Sequence, residues 1–270
     1  MFHLLRVHTP DPIKIAFRRV RSRLVDPGDT GVLVNVSGTM VRTPGYFMGG
    51  GRVGYEIPST ERFKKWLEAH PSGLVVDVGC SVSTYGLIAL CSSVKTRVVA
   101  VDPDFASLVW TRFICSKVED PSRLVLVHGF VVGAEGCGLD ATAAGGQIEE
   151  ELRSRFEKRF MERTKYRDSA DAADRHISRH CIDDLLRNEA ASGGLIIKID
   201  VEGNELGVIA GAMKTLRDKN PVLLLSVHPQ FGVDVKAVRE LLASAGYSAD
   251  HFASDHEEHW WCAPLRAPVS

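Results

Sequence analysis

Two segments carry side chains whose types and spacing suit chemistry. Residues 196–203 read Ile-Ile-Lys-Ile-Asp-Val-Glu-Gly, an apolar run with an ionisable group at every second position. A strand has a side-chain period of two. Lys198, Asp200 and Glu202 therefore share one face of a strand expected over Leu195 to Val201, and Ile197, Ile199 and Val201 share the other. Near-continuous Ile/Val runs belong to strands buried in parallel sheets. Charges there are costly unless they meet a partner, a ligand or water. Asp200 and Glu202 fall at the carboxyl end of the strand, where open α/β sheets bind ligands. His228 ends a second apolar run, Val222 to Val227, and is followed by Pro229. Histidine titrates near neutrality, so His228 is the first candidate for a general base that takes a proton from a weak nucleophile such as an alcohol. Asp200 can orient an acceptor, act as the base itself or hold a cofactor. Lys198 stands with them as a candidate catalytic group, or as the counter-charge of Asp200 or Glu202.

A second constellation lies earlier. Asp77-Val78-Gly79-Cys80-Ser81-Val82-Ser83-Thr84-Tyr85-Gly86 follows an apolar strand and opens a helix. A glycine at that turn lets the backbone approach a ligand closely. Asp102 ends the next strand, 25 residues after Asp77, and an acid there is placed to hydrogen-bond ribose hydroxyls. The loop is not G-x-G-x-x-G, because the next glycine after Gly79 is Gly86. A dinucleotide pyrophosphate needs glycines close together at the helix N-terminus. The spacing disfavours NAD or FAD and suits a nucleoside ligand without phosphates, such as S-adenosylmethionine.

The elements that must position these groups alternate. Strands are expected over Leu74–Val78, Arg97–Asp102, Leu124–His128, Leu195–Val201 and Val222–Val227, with helices through Leu87–Leu90, from about Ala106, over Asn204–Asp218 and over Val235–Ala245. Tyr247–Phe252 and His259–Ala263 have the length of an antiparallel hairpin. This βαβ rhythm predicts a doubly wound, mostly parallel sheet. Ahead of it, residues 1–60 form a lead-in: a surface helix over Ile13–Val25, a hairpin of Val32–Val36 with Thr39–Val41, and a glycine-rich loop from Gly45 to Gly54. Pro58 to Glu61 begin a helix with cap-like chemistry and Phe63, Trp66 and Leu67 on its apolar face. Between the third and fourth strands an insertion at about 147–176 carries Leu152, Phe156 and Phe160 four apart, an amphipathic pattern. It reads as a solvated surface helix, or as a substrate lid or dimer contact.

Composition narrows the classes. The 270 residues are 44% hydrophobic and 25% charged, with net charge −1. That suits a globular protein with a sizeable core and offers no global field for nucleic acid or anionic lipid. No run nears the roughly 18 apolar residues of a membrane helix, and no secretory signal is expected. None of the six cysteines form a C-x-x-C pair, which fits reduced thiols in a cytoplasmic protein. Arg18, Arg19, Arg21 and Arg23 read as a solvated helix face. His251, Asp255, His256, Glu257, Glu258 and His259 read as an exposed turn between the last two strands. No metal is assigned.

The segments VVDVGCSVSTYGLIAL, VVAVDPDF, CIDDLL, IIKIDVEGNELGVIAGA and PVLLLSVHP together resemble the FkbM-type methyltransferases, within the class I S-adenosylmethionine-dependent fold. The resemblance runs from about Tyr55 to the end, and the KIDVEG…GA block is its most specific part. It implies a Rossmann-like, doubly wound α/β sheet, seven-stranded and mostly parallel with an antiparallel last strand. Residues 1–60 would be an N-terminal extension and 61–270 the methyltransferase domain. The implied reaction is O-methylation of a hydroxyl on a sugar, glycolipid or secondary metabolite, with S-adenosyl-L-methionine as cofactor. The partner is a small-molecule or glycan acceptor, without nucleic acid or membrane insertion; a homodimer is compatible. Carried over, Asp77 and Gly79 hold the methionine portion, with Cys80 and Ser81 lining the loop. Asp102 binds the ribose, and His128 and Gly129 meet the adenine edge. Glu56 matches a position ahead of the first motif, and Asp200 and Glu202 face the methyl group and acceptor. The family usually has Ala-Asn where this chain has Cys80-Ser81, glycine where it has Ser83, and glutamate where it has Ser226. Two rival readings are an NAD-dependent Rossmann oxidoreductase, which shares the strand–loop–helix and Asp102, and a cofactor-binding homologue that has lost catalysis.

Overall fold

The computed structural model describes residues 32–36, 38–43, 56–136, 177–254 and 257–265. The expected helix at Ile13–Val25, its arginine cluster, the glycine-rich loop and the 147–176 insertion lie outside these residues. β1 (Val32–Val36) and β2 (Thr39–Thr43) form an antiparallel hairpin. α1 (Ile57–Ala69) then leads into the alternating part: β3 (Leu74–Val78), α2 (Thr84–Ser92), β4 (Arg97–Asp102), α3 (Phe105–Ile114) and β5 (Leu124–His128). β6 (Phe130–Val131) pairs in parallel with β7 (Arg179–His180), followed by α4 (Ile182–Leu185). The second half runs β8 (Leu195–Ile199), α5 (Glu205–Ala210), α6 (Met213–Lys219), β9 (Val222–Val227), α7 (Val235–Ser244), β10 (Tyr247–Ser254) and β11 (Glu258–Pro264).

The seven-stranded sheet has the order β10-β11-β9-β8-β3-β4-β5. β5, β4, β3, β8 and β9 are parallel, and β11 runs antiparallel to both β9 and β10. The chain starts at the centre with β3, moves outward through β4 and β5, then returns to β8 on the other side. The crevice between β3 and β8 is thus the topological switch point, where ligands of such sheets bind. Successive strand residues face opposite layers. Val76, Val78, Ile197 and Ile199 join one core with α5, α6 and α7, while Val75, Val98 and Ile196 join the other with α1, α2 and α3. Lys198 lies on the second face, opposite Asp77 in register.

Three expectations are corrected. β8 stops at Ile199. The Asp200 N–H still donates to the Val78 carbonyl at 3.0 Å, but Glu202 and Gly203 have φ of +48° and +117°, so the alternation that placed Glu202 beside Asp200 ends there. The helix expected over Asn204–Asp218 is two helices broken at Gly211-Ala212. The Gly211 carbonyl accepts from the Asp183 N–H at 2.9 Å, and a Cβ on Gly211 would lie 2.3 Å from the Val132 carbonyl oxygen. α1 is not capped by a Ser/Thr side chain: Glu56 occupies the cap with φ +39°, and Ser59 and Thr60 are buried inside the helix.

Candidate active site

The loop after β3 is shaped by close backbone contact. Gly79 and Cys80 donate to the Val101 carbonyl at 2.9 and 3.1 Å, which draws the loop across the end of β4. A Cβ at Gly79 would lie 1.8 Å from the Asp200 carbonyl oxygen, so glycine lets the turn after β3 cross the turn after β8. Ser81 and Ser83 have φ of +48° and +47°, a left-handed conformation that costs energy in residues with a Cβ and is found at functional sites. Asp102 binds this loop: its Oδ2 accepts from the Ser81 N–H at 2.8 Å and its Oδ1 from Asp104 N–H at 2.7 Å. Burial raises the Asp102 pKa, against the effect of those two donors.

A cleft of about 910 Å³ opens over these strand ends. Of the residues expected from the sequence, Glu56, Gly79, Ser81, Asp102, Gly129, Asp200, Glu202 and His228 line it. The others stand behind its wall. Cys80 is packed into the second core. His128 shares a hydrogen bond with the Pro103 carbonyl and meets the Phe105 ring edge-on. Asp77 is buried and accepts from the Ser83 hydroxyl at 2.7 Å. Burial pushes the Asp77 carboxyl up to about 7, against Ser83 and the nearby Lys198 charge. Lys198 is 1% exposed.

Beneath the Asp200 and His228 side of the cleft lies a buried polar centre. Lys198 Nζ donates to Ser226 Oγ at 2.5 Å and lies 3.3 Å from Asp200 Oδ2. Burial opposes the ammonium charge, but Asp200, Glu56, Glu257 and Asp77 outweigh it and raise the Lys198 pKa. His228 Nδ1 lies 2.5 Å from Glu205 Oε1, and its Nε2 lies 2.7 Å from Glu257 Oε2 and 3.5 Å from Asp200 Oδ1. A ring with carboxylates at both nitrogens satisfies them only as the doubly protonated imidazolium. Burial works against that charge, yet the bonds to Glu205 and Glu257 prevail and raise the His228 pKa to about 10. For Glu257, burial is likewise outweighed, here by His228, Lys198 and Ser226, and its carboxyl is pushed down to about 2. On the cleft side, the Tyr85 hydroxyl donates to Glu56 at 2.6 Å.

Sequence reasoning missed Glu257, which it placed in an exposed turn; Glu257 is 5% exposed and His259 2%. The register explains this. Glu258 pairs with Val227, so the antiparallel hairpin carries Glu257 alongside His228. Glu257 thereby supplies a carboxylate beside Ser226. It also missed Phe231 and Gln230, which line the cleft just after His228; their position after a ligand-end strand was the available signal. Asp200, His228 and Glu257 lie close enough to hold a metal ion. Both His228 nitrogens are however committed to carboxylates, and Lys198 already lies against Asp200.

A sequence model described as the methyltransferase FkbM domain matches residues 94–249. Among solved structures, the chain is similar to a methyltransferase FkbM from Methylobacillus flagellatus KT, at 16% identity and a TM-score of 0.48, over 72% of this chain and 44% of that one. The chain thus spans less than half the length of that relative. It is also similar to a precorrin-6y C5,15-methyltransferase from Geobacter metallireducens GS-15 (12% identity, TM-score 0.47, covering 79% and 91% of the two chains). A third is an O-methyltransferase from Bacillus cereus in complex with SAH (10% identity, TM-score 0.48, covering 98% and 96%). No curated protein sequence matches the chain.

Proposed function

The chain belongs to the FkbM methyltransferase family, and from that premise we propose that it transfers a methyl group from S-adenosylmethionine to a hydroxyl oxygen of a small molecule or glycan. The observation that carries this reading is the buried Lys198–Asp200–His228 centre, open to the same cleft as the Gly79 loop and Asp102. The residues fit the cofactor. Gly79, Ser81, Gly129 and Phe130 line the cleft, and Asp102 lines it as the ribose partner in this reading. Six of the twenty described lining residues are carboxylates and none is Lys or Arg, which suits a cationic ligand better than a pyrophosphate. That, with the Gly79-to-Gly86 spacing, also disfavours an NAD-dependent oxidoreductase.

When bound, the cofactor supplies a methyl group already activated on a sulfonium, so the protein's task is to position the reactants and exclude water. The acceptor hydroxyl becomes acidic as its new O–CH₃ bond forms, and its proton needs a nearby base. Asp200 takes that proton in this reading: its carboxylate is on the cleft wall, with Lys198 Nζ 3.3 Å from its Oδ2. His228, expected from sequence to be the base, instead holds its own proton between Glu205 and Glu257, 3.5 Å from Asp200. Glu202, on a separate limb of the turn, faces the cofactor or acceptor.

Calorimetry with S-adenosylmethionine and with NAD tests the cofactor. A methyl-transfer screen with labelled cofactor against sugars, glycolipids and metabolite extracts tests the acceptor. Labelled small hydroxyl compounds support the proposal, and labelling of protein or RNA alone overturns the acceptor class. Cofactor binding without turnover on any acceptor would favour a binding homologue.

A further inference from the structure

Glu257 reaches the site from the last hairpin, far in sequence from the strand ends that build the rest of it. Both its oxygens are engaged: Oε1 accepts from the Ser226 hydroxyl at 2.8 Å, and Oε2 lies 2.7 Å from His228 Nε2. Ser226 in turn accepts from Lys198. A charge-assisted chain therefore runs Lys198–Ser226–Glu257–His228–Glu205. Asp200 lies at 3.5 Å from the same His228 Nε2 and competes with Glu257 for its single proton. At these distances Glu257 wins, because charge-assisted hydrogen bonds form near 2.7–2.9 Å.

Resting on the function proposed above, we infer that Glu257 is a positioning residue for methyl transfer: by binding His228 Nε2–H it leaves Asp200 as the carboxylate that meets the acceptor hydroxyl. The groups facing His228 are Glu205 from α5, Asp200 just after β8 and Glu257 just before β11; Lys198 of β8 reaches Asp200, and His259 lies 3.6 Å from Glu257. Without the Glu257 charge, the Nε2–H turns to Asp200. A base bonded to an imidazolium no longer accepts the acceptor's proton, so turnover falls while the cofactor's other contacts remain.

The test uses the full chain and its Glu257→Gln, Glu257→Asp and Ser226→Ala variants. The His228 titration is followed by nitrogen NMR of the ring, alongside calorimetry with S-adenosylhomocysteine and kcat and KM for an acceptor from the labelled screen. Glu257→Gln is expected to lower the His228 midpoint toward the ordinary histidine range and to lower kcat by about 100-fold or more, the lower end of what a positioned base contributes. KM and S-adenosylhomocysteine affinity stay near parental. Glu257→Asp recovers part of both effects. Ser226→Ala, which removes one Glu257 partner and keeps its charge, gives a smaller shift in the same direction. An unchanged His228 midpoint and unchanged kcat in Glu257→Gln overturn the inference. If the parent binds no S-adenosylhomocysteine, the functional reading fails, while the ring titration still decides whether Glu257 controls His228.

Discussion

Replacing Gly79 by alanine tests how the two halves of the site are joined. At φ +73° the added Cβ would lie 1.8 Å from the Asp200 carbonyl oxygen, 2.8 Å from its carbon and 3.3 Å from Val201 Cγ1. Two costs follow. The left-handed conformation costs an L-residue roughly 1–2 kcal/mol. The steric overlap is then relieved only when backbone moves by more than an ångström, and the movable partner is the turn that carries Asp200. Displacement of about 1 Å at a reacting group lowers rate by about 100-fold. Gly246 isolates the first cost, because it has φ +82° and a Cβ added there would meet nothing within 4 Å. Gly246→Ala should lose about 1–2 kcal/mol, which is a fall in Tm of roughly 2–8 °C for a chain of this size. Gly79→Ala should lose more than that and also lose S-adenosylhomocysteine affinity and turnover, measured by thermal unfolding, calorimetry and labelled methyl transfer. Equal stability of the two variants, with parental binding and turnover in Gly79→Ala, would refute the claim that the crossing of these two turns builds the site.

Two further outcomes follow from the buried centre. Lys198→Met leaves Asp200 and Glu257 without their ammonium partner; breaking a buried ion pair in this way costs about 3–5 kcal/mol, and chemical denaturation should show a loss of that order, whereas a loss below about 1 kcal/mol would mean that solvent already screens the pair. Stability should also fall as pH rises from neutrality. His228, raised from 6.5 to about 10, contributes stability that is fully present below its unfolded pKa and lost as pH climbs through 10. Asp77, raised from 3.8 to about 7, withdraws stability as it is forced to ionise across that interval. Glu257, depressed from 4.5 to about 2, contributes stability present above 4.5 and lost as pH falls through 2. Tm is therefore highest in mildly acidic solution and declines toward pH 10; a Tm that rises between pH 7 and 10 contradicts the His228 assignment.

Strands made of apolar, β-branched runs between turn residues were legible to the residue: β3, β4, β5 and β9 fall where the run begins and ends. β8 is two residues shorter than its sequence pattern, because Asp200 and Glu202 continue the alternation after the backbone has left the sheet. At the break between α5 and α6 the Gly211 carbonyl accepts from the Asp183 N–H, and Val132 and Cys181 leave no room for a Cβ, contacts no local pattern reports. That the glycine loop, Asp102 and the strand-end residues Asp200 and His228 line one cleft was legible because ligand clefts in such sheets recur at strand ends. The charge state of His228 was not, because it depends on Glu205 and Glu257, brought in from α5 and the last hairpin. A local reading puts Glu257 among exposed turn residues; only the pairing of β11 with β9 buries it beside His228.

In the proposed reaction Asp200, not His228, takes the acceptor's proton. This assignment is tested most directly by labelled methyl transfer with the parent, Asp200→Asn and His228→Gln, each first matched for S-adenosylhomocysteine binding. Asp200→Asn should lose turnover by about 100-fold or more at retained cofactor affinity, and the parent's rate should show no ionisation between pH 6 and 8 that can be assigned to His228. Parental turnover in Asp200→Asn, or a rate that rises with deprotonation of His228 near neutrality, would contradict the assignment.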